Sequence, residues 1–208
     1  MLQSIIFDVD GVLLDSYRAN LAFYRIFLPL FGYTGPTDEE YGPLFPLPIR
    51  DVIIRLTKLT DEAEVDRIWT AVRDRIVPYP VELLNLPVGV EVVLSSLSKT
   101  YRLGIATSRL KKSIFEAPVI APLEKYFACV ISYEDTKEHK PDPAPLLLAA
   151  ERLGLLPEDC AYVGDAPGDL EAARAAGMKS VLYGPKLFGN PNAFVSDFAS
   201  LPGVLEKL

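Results

Sequence analysis

Asp8 and Asp10 stand two residues apart where an apolar run ends, in the stretch Asp8-Val9-Asp10-Gly11-Val12-Leu13-Leu14-Asp15. Residues two apart point the same way at the end of a strand, so both carboxylates can face one site while Val9 packs away. Carboxylates this close raise each other's pKa unless a cation neutralises them or one of them keeps a proton. Either condition suits phosphoryl transfer, in which an anion must work beside an anionic phosphate. Gly11 frees the backbone to turn sharply out of the strand. A capped acidic turn would have the same composition, and the short motif alone does not choose between the two.

Three further groups carry the same kind of chemistry. Thr107-Ser108 follows the apolar run Leu103 to Ala106 and offers hydroxyls and backbone amides that can hold phosphate oxygens. Its plain alternative is a hydroxyl capping the next helix. Lys140 precedes Pro141-Asp142-Pro143, whose prolines stiffen the approach to a helix and fix the position of the lysine, although a lysine there can equally be a solvated charge. Gly164-Asp165-Ala166-Pro167-Gly168-Asp169 delivers two more carboxylates to a loop, and hard oxygen donors of that kind suit Mg²⁺. A glycine-rich turn with an aspartate cap is the alternative there.

Each group sits at the end of a short apolar run that reads as a strand: Ser4 to Asp8, Arg102 to Thr107, Phe127 to Ser132, Cys160 to Asp165 and Lys179 to Tyr183. Helical patterns at Gly89 to Lys99, Asp142 to Leu153 and Gly168 to Ala176 lie between these runs and are long enough for crossovers. The alternation predicts an α/β fold, a Rossmann-like parallel sheet with helices on both faces and its ligands at the carboxyl ends of the strands. From about Ser16 to Leu84 the rhythm changes. Arg18 to Phe31, Ile49 to Leu59 and Asp61 to Ile76 have helical spacing, with Asp61 as a helix cap, and Pro and Gly cluster into an irregular loop between Gly32 and Pro48. The expected organisation is a core of residues 1–15 and 85–208 with a helical cap at 16–84, hinged at Asp15 to Tyr17 and at Pro78 to Pro87.

Bulk properties narrow the class. The 208 residues are half apolar, enough to bury a core, and the formal net charge of -7 argues against a dedicated nucleic-acid or anionic-membrane binder. No apolar stretch approaches the roughly 20 residues needed to span a bilayer. The N-terminal run lacks a basic region before it and a small-residue cleavage site after it, so no signal peptide is expected. Cys129 and Cys160 read as buried strand residues in a reducing compartment, and a cytoplasmic protein is expected. A monomer or homodimer is anticipated.

The four groups, in this order and each at a strand end, resemble the haloacid dehalogenase superfamily, and the resemblance covers the whole chain. It implies that Asp8 is the nucleophile and that Asp10 protonates the leaving oxygen and later activates water. It further implies that Thr107, Ser108, Gly11 and Lys140 bind the transferring phosphoryl group, with Lys140 offsetting the charge of Asp8. Asp8, Asp165 and the Asp10 carbonyl oxygen would ligate Mg²⁺, and Asp169 would be a further ligand or would hold a metal-bound water. The dehalogenase branch lacks an aspartate at the place of Asp10, because a halide leaving group needs no proton. Asp10 therefore points to phosphate chemistry, and the resemblance implies a phosphatase acting on a small phosphorylated metabolite. A mutase of the β-phosphoglucomutase type and a non-catalytic binding protein on the same fold are the competing functions.

The substrate is less legible. The segment Leu44-Phe45-Pro46-Leu47-Pro48-Ile49-Arg50 occupies the place where phosphoglycolate-phosphatase-like and β-phosphoglucomutase-like members carry a Gly-containing loop, and this chain lacks that glycine. That lack counts against the mutase. Arg50 could contact a substrate anion from the cap or serve as a surface charge. Arg109, Lys111 and Lys112 favour an anionic substrate or are charges on a helix surface. His139 reads as a loop residue, Trp69 as core, and residues 184–192 as a loop beside the active-site edge.

Overall fold

The computed structural model describes residues Met1–Leu208. Five strands coincide with the apolar runs, each stopping about where its polar residues begin: β1 (Ser4–Phe7), β2 (Arg102–Ala106), β3 (Phe127–Ile131), β4 (Cys160–Gly164) and β5 (Lys179–Tyr183). A sixth, β6 (Ala193–Val195), has three residues after a Gly, Pro and Asn-rich loop, too short to show a strand pattern. All pairs are parallel, in the order β3-β2-β1-β4-β5-β6. All residues of β1 and β4 are buried, as expected of central strands covered on both faces.

The chain divides into two units, Met1–Asp15 with Asn85–Leu208 and Ser16–Leu84. In the first, the chain leaves at Asp15 and returns at Asn85, and these two residues exchange backbone hydrogen bonds of 2.8 and 3.3 Å. The second is helical: α1 (Tyr17–Phe27), α2 (Asp38–Tyr41), α3 (Ile49–Thr57) and α4 (Glu62–Arg73) close on Phe27, Leu28, Tyr41, Ile53 and Ile68. Asp61 caps α4, its Oδ1 accepting from Ala63 N at 3.0 Å. The stretch Gly32 to Pro48, expected to be irregular, contains α2, because Thr37 and Glu40 form a capping box in which each side chain accepts the other's backbone N–H. Trp69 is half-buried and packs against the unit's core.

In the sheet unit, α5 (Val90–Leu97), α6 (Ala144–Leu153), α7 (Pro167–Ala176) and α8 (Leu201–Leu205) cover the strands. Alternation along the strands separates the two sides. Ile6, Cys160 and Tyr162 pack with Leu146, Ala149 and Leu153 of α6 and Ala172 and Ala173 of α7. Phe7, pointing the other way, stacks on Phe198 just before α8. No α-helix joins β2 to β3. The connection uses 3-10 turns at Lys111–Ser113 and Ala121–Tyr126, where Pro118 and Pro122 each remove a helical N–H. Both cysteines are free and buried, and no helix is long and apolar enough to cross a membrane.

Candidate active site

The strand order decides where the chemistry gathers. The chain steps from β1 to β2 and β3 on one side and reaches β4, β5 and β6 on the other, so the crevice of a doubly wound sheet opens at the carboxyl ends of β1 and β4. Phe7 pairs with Val163 and with Ile105, which sets Asp8 one residue past the end of β1, level with the ends of its neighbours. Thr107 and Asp165 follow β2 and β4 directly.

After Asp8 the chain folds back in a tight turn in which Leu13 and Leu14 both donate to Val9 O at 2.9 Å, and Val9, Val12, Leu13 and Leu14 are buried without residual exposure. Gly11 carries the turn at φ +76. A Cβ there would lie 2.0 Å from Asp165 Oδ2, so glycine is what lets the β4 loop approach the β1 loop. Its amide donates to Leu14 O at 2.9 Å, so in this structure the N–H is engaged inside the turn. Gly164 does the same for the next acid, since a Cβ there would fall 2.3 Å from Asp169 Cβ.

Lys140 links the acids. Its Nζ donates to Asp8 Oδ2 at 2.8 Å, to Asp169 Oδ1 at 2.7 Å and to the Tyr162 hydroxyl at 2.8 Å, and the lysine side chain is buried. The bond from Lys140 to Pro141 is cis. Carboxylate oxygens of Asp8, Asp165 and Asp169 all lie within 4.8 Å of one another. Burial, opposed by Lys140, pushes the Asp8 carboxyl up to about 6. Burial and the charges of Asp169 and Asp8 push Asp165 up to about 8. Burial alone would lower the Lys140 ammonium, but Asp169 and Asp8 outweigh it and hold it well above its ordinary value. Burial likewise raises the Tyr162 hydroxyl, so it stays protonated.

Three carboxylates with one lysine leave an excess of negative charge that a divalent cation would relieve, and an all-oxygen donor set fits Mg²⁺. Asp8 and Asp165 fit best as direct donors. Asp169 is more committed: its Oδ2 accepts from Asp165 N and Ala166 N, both at 3.1 Å, and its Oδ1 from Lys140. It therefore holds the loop as well as completing the acidic cluster.

Asp10 lies on the other side of the turn, its Oδ1 accepting from Arg109 Nη1 at 3.0 Å. Arg109, expected to favour an anionic substrate or to be a helix-surface charge, is buried, because no α-helix follows β2 and its side chain turns inward instead. Thr107 is buried, its N donating to Ile131 O, while Ser108 is half-buried beside it. Lys111 and Lys112 remain exposed. His139 stacks on Tyr133 with centroids 3.9 Å apart. Arg50 belongs to the helical unit, where its Nη2 pairs with Glu62 and, at 3.0 Å, with Asp66, while its Nη1 is buried without a hydrogen bond. A cavity of about 330 Å³ adjoins Gly11 and Asp165, walled by Tyr183, Lys186, Phe188 and Ser196 from the 184–192 loop and its flanks. Two partners escaped the sequence reading, the Arg109–Asp10 pair and Tyr162; an arginine directly after the Thr107-Ser108 pair and a tyrosine within an apolar strand run were the available signals.

Comparison with known proteins agrees with the fold. The family model described as haloacid dehalogenase-like hydrolase matches residues 5–183. The chain is 33% identical over 184 residues to a phosphoglycolate phosphatase of Xylella fastidiosa (strain 9a5c), covering 86% of this chain and 79% of that protein. Among solved structures, a HAD-superfamily hydrolase of subfamily IA, variant 1, from Geobacter sulfurreducens PCA superposes with a TM-score of 0.79 at 26% identity over 100% of both chains. A β-phosphoglucomutase from Clostridium difficile shares the fold, with a TM-score of 0.74 at 21% identity over 97% of this chain and 93% of that one.

Proposed function

The chain belongs to the haloacid dehalogenase-like hydrolases, and from that premise we propose that it is a Mg²⁺-dependent phosphatase that hydrolyses a small phosphate monoester through an aspartyl-phosphate on Asp8. The observation that carries this reading is the Asp8 carboxylate at the switch point of the sheet, held 2.8 Å from Lys140 within a cluster of three acids.

An Asp8 carboxylate oxygen attacks phosphorus and the ester oxygen departs with a proton from Asp10. Water then attacks the aspartyl-phosphate, giving its proton to Asp10, and inorganic phosphate leaves with Asp8 regenerated. Lys140 lowers the repulsion between the nucleophile and the phosphoryl oxygens, and the hydroxyls of Thr107 and Ser108 steady those oxygens. Asp8, Asp165 and the Asp10 carbonyl oxygen would hold Mg²⁺, with Asp169 in support, and the bound ion would supply further neutralising charge. The Xylella relative, named for phosphoglycolate, makes that ester the first to try.

The test is phosphate release from a panel of monoesters with and without Mg²⁺, using Asp8→Asn as control. Metal-dependent release that the variant abolishes supports the reading. Isomerisation of a sugar phosphate without net release would point to a mutase, and release that survives Asp8→Asn would remove the nucleophile assigned here.

A further inference from the structure

Tyr162 has no part in the chemistry above, yet its hydroxyl is where three segments of the site meet. It is the third residue of β4, 1% exposed, with its ring in the cluster beneath α6 and α7. The hydroxyl donates to Ala106 O at 2.8 Å and accepts from Lys140 Nζ at 2.8 Å, and Asp169 Oδ1 lies 3.4 Å away.

Valence makes this arrangement directional. A phenol has one proton, and the backbone carbonyl of Ala106 takes it, so the oxygen can face Lys140 only as an acceptor. An ammonium has three protons, directed here at Asp8, Asp169 and Tyr162. The two carboxylates alone would leave one proton unanswered in a buried place and let a flexible four-carbon side chain settle toward either acid. The hydroxyl supplies the third, neutral acceptor. Ala106 directly precedes Thr107, so the same oxygen ties the ammonium to the strand end that carries the phosphate-facing hydroxyls.

We propose that Tyr162 is a positioning residue for phosphoryl transfer, acting through Lys140 to hold the ammonium against Asp8 and in register with the end of β2. The proposal rests on the assignment of Asp8 and Lys140 made above. A merely structural role would lie in the ring, which packs in the core and has Lys140 Nζ 5.4 Å from its centroid, rather than in the hydroxyl.

Tyr162→Phe keeps the ring and removes the oxygen. Two readouts are taken, together with a melting curve to verify folding. The first is steady-state kinetics with Mg²⁺ on a hydrolysed monoester, where kcat is expected to fall about tenfold or more with KM changed less than about twofold. The second is the Lys140 ammonium resonance in ¹⁵N-lysine-labelled protein, identified by its loss in Lys140→Ala. In the wild type it should show a cross-peak to the Tyr162 ring, and in Tyr162→Phe it should shift or broaden. Unchanged kcat, an unchanged ammonium resonance, or a missing cross-peak in the wild type would each overturn the proposal. The cross-peak does not depend on Tyr162→Phe, so a phenylalanine protein that failed to fold would still leave the proposal open to refutation. If the wild type hydrolyses no ester, the phosphatase reading fails by itself, and the resonance alone decides whether Tyr162 holds the lysine.

Discussion

The guanidinium of Arg109 donates to the Asp10 carboxylate at 3.0 Å, joining the end of β2 to the turn after β1 across 99 residues of sequence. The arginine side chain is 8% exposed and the aspartate 26%, so the pair is shielded on the arginine's side and open on the aspartate's. Under the proposed mechanism Asp10 gives and takes a proton, and its Oδ1 is tied to a buried arginine while the side chain keeps access to solvent. Replacing Arg109 with Gln should lower kcat about 10- to 100-fold through misplacement of Asp10, with a smaller change in KM. Steady-state kinetics checks this, and a variant with wild-type kcat would show the pair to be incidental.

Gly11 offers a steric test. Alanine there must adopt a positive φ and place its Cβ 2.0 Å from Asp165 Oδ2. Gly11→Ala is expected to cost about 1–3 kcal/mol of stability in urea melts and to abolish phosphate release, because Asp165 must move.

Metal binding should register as stability. A ligand present at 100 times its dissociation constant stabilises by about 2.7 kcal/mol, which for a chain of this size raises Tm by roughly 5–10 °C. Mg²⁺ should produce a shift of that order in the wild type and little in Asp165→Asn. An equal shift in both proteins would remove Asp165 from the metal site.

The acid limb of the stability curve should carry the signature of Asp135, which lies away from the acidic cluster. Burial would raise its carboxyl, but hydrogen bonds from the Ser132 hydroxyl and amide, with Arg152 at 2.9 Å, outweigh it and hold the group down to about 2. A folded-state pKa below the unfolded value near 3.9 adds stability above about pH 4, lost as pH falls toward 2. Asp135→Asn should therefore be less stable than the wild type by about 2 kcal/mol at pH 7 and by almost nothing at pH 2. Denaturant melts at the two pH values measure the difference.

The cavity beside Asp165 gives a test of substrate choice. Lys186 is exposed at its wall, which Phe188 and Tyr183 also line. Lys186→Ala should raise KM about three- to tenfold for esters that carry a second anionic group and leave p-nitrophenyl phosphate within twofold. Equal effects on both kinds of ester would place the leaving group elsewhere.

Much of this was legible before any coordinates. Burial on both faces writes parallel strands as uninterrupted apolar runs, and strand ends must turn, so the residues following β1, β2 and β4 could be read as neighbours at one edge. Asp61 declared its helix through a side chain that reaches only two residues ahead. The short helix α2 and the three-residue β6 escaped because a few residues hold too little periodicity, and the 3-10 path from β2 to β3 escaped because prolines break a helix without naming its replacement.

Local pattern thus determined the kind of sheet, the break at Ser16 to Leu84 and which polar residues stand at strand ends, since burial, turning and capping act over a few residues. Tertiary structure decided which of those residues meet. Lys140 reaches Asp8 across 132 positions, Arg109 turns inward to Asp10, and the Tyr162 hydroxyl finds both Ala106 and Lys140. Those meetings follow from strand order, and the absence of side chains at Gly11 and Gly164 makes room for Asp165 and Asp169 beside them; no spacing along the chain encodes any of this.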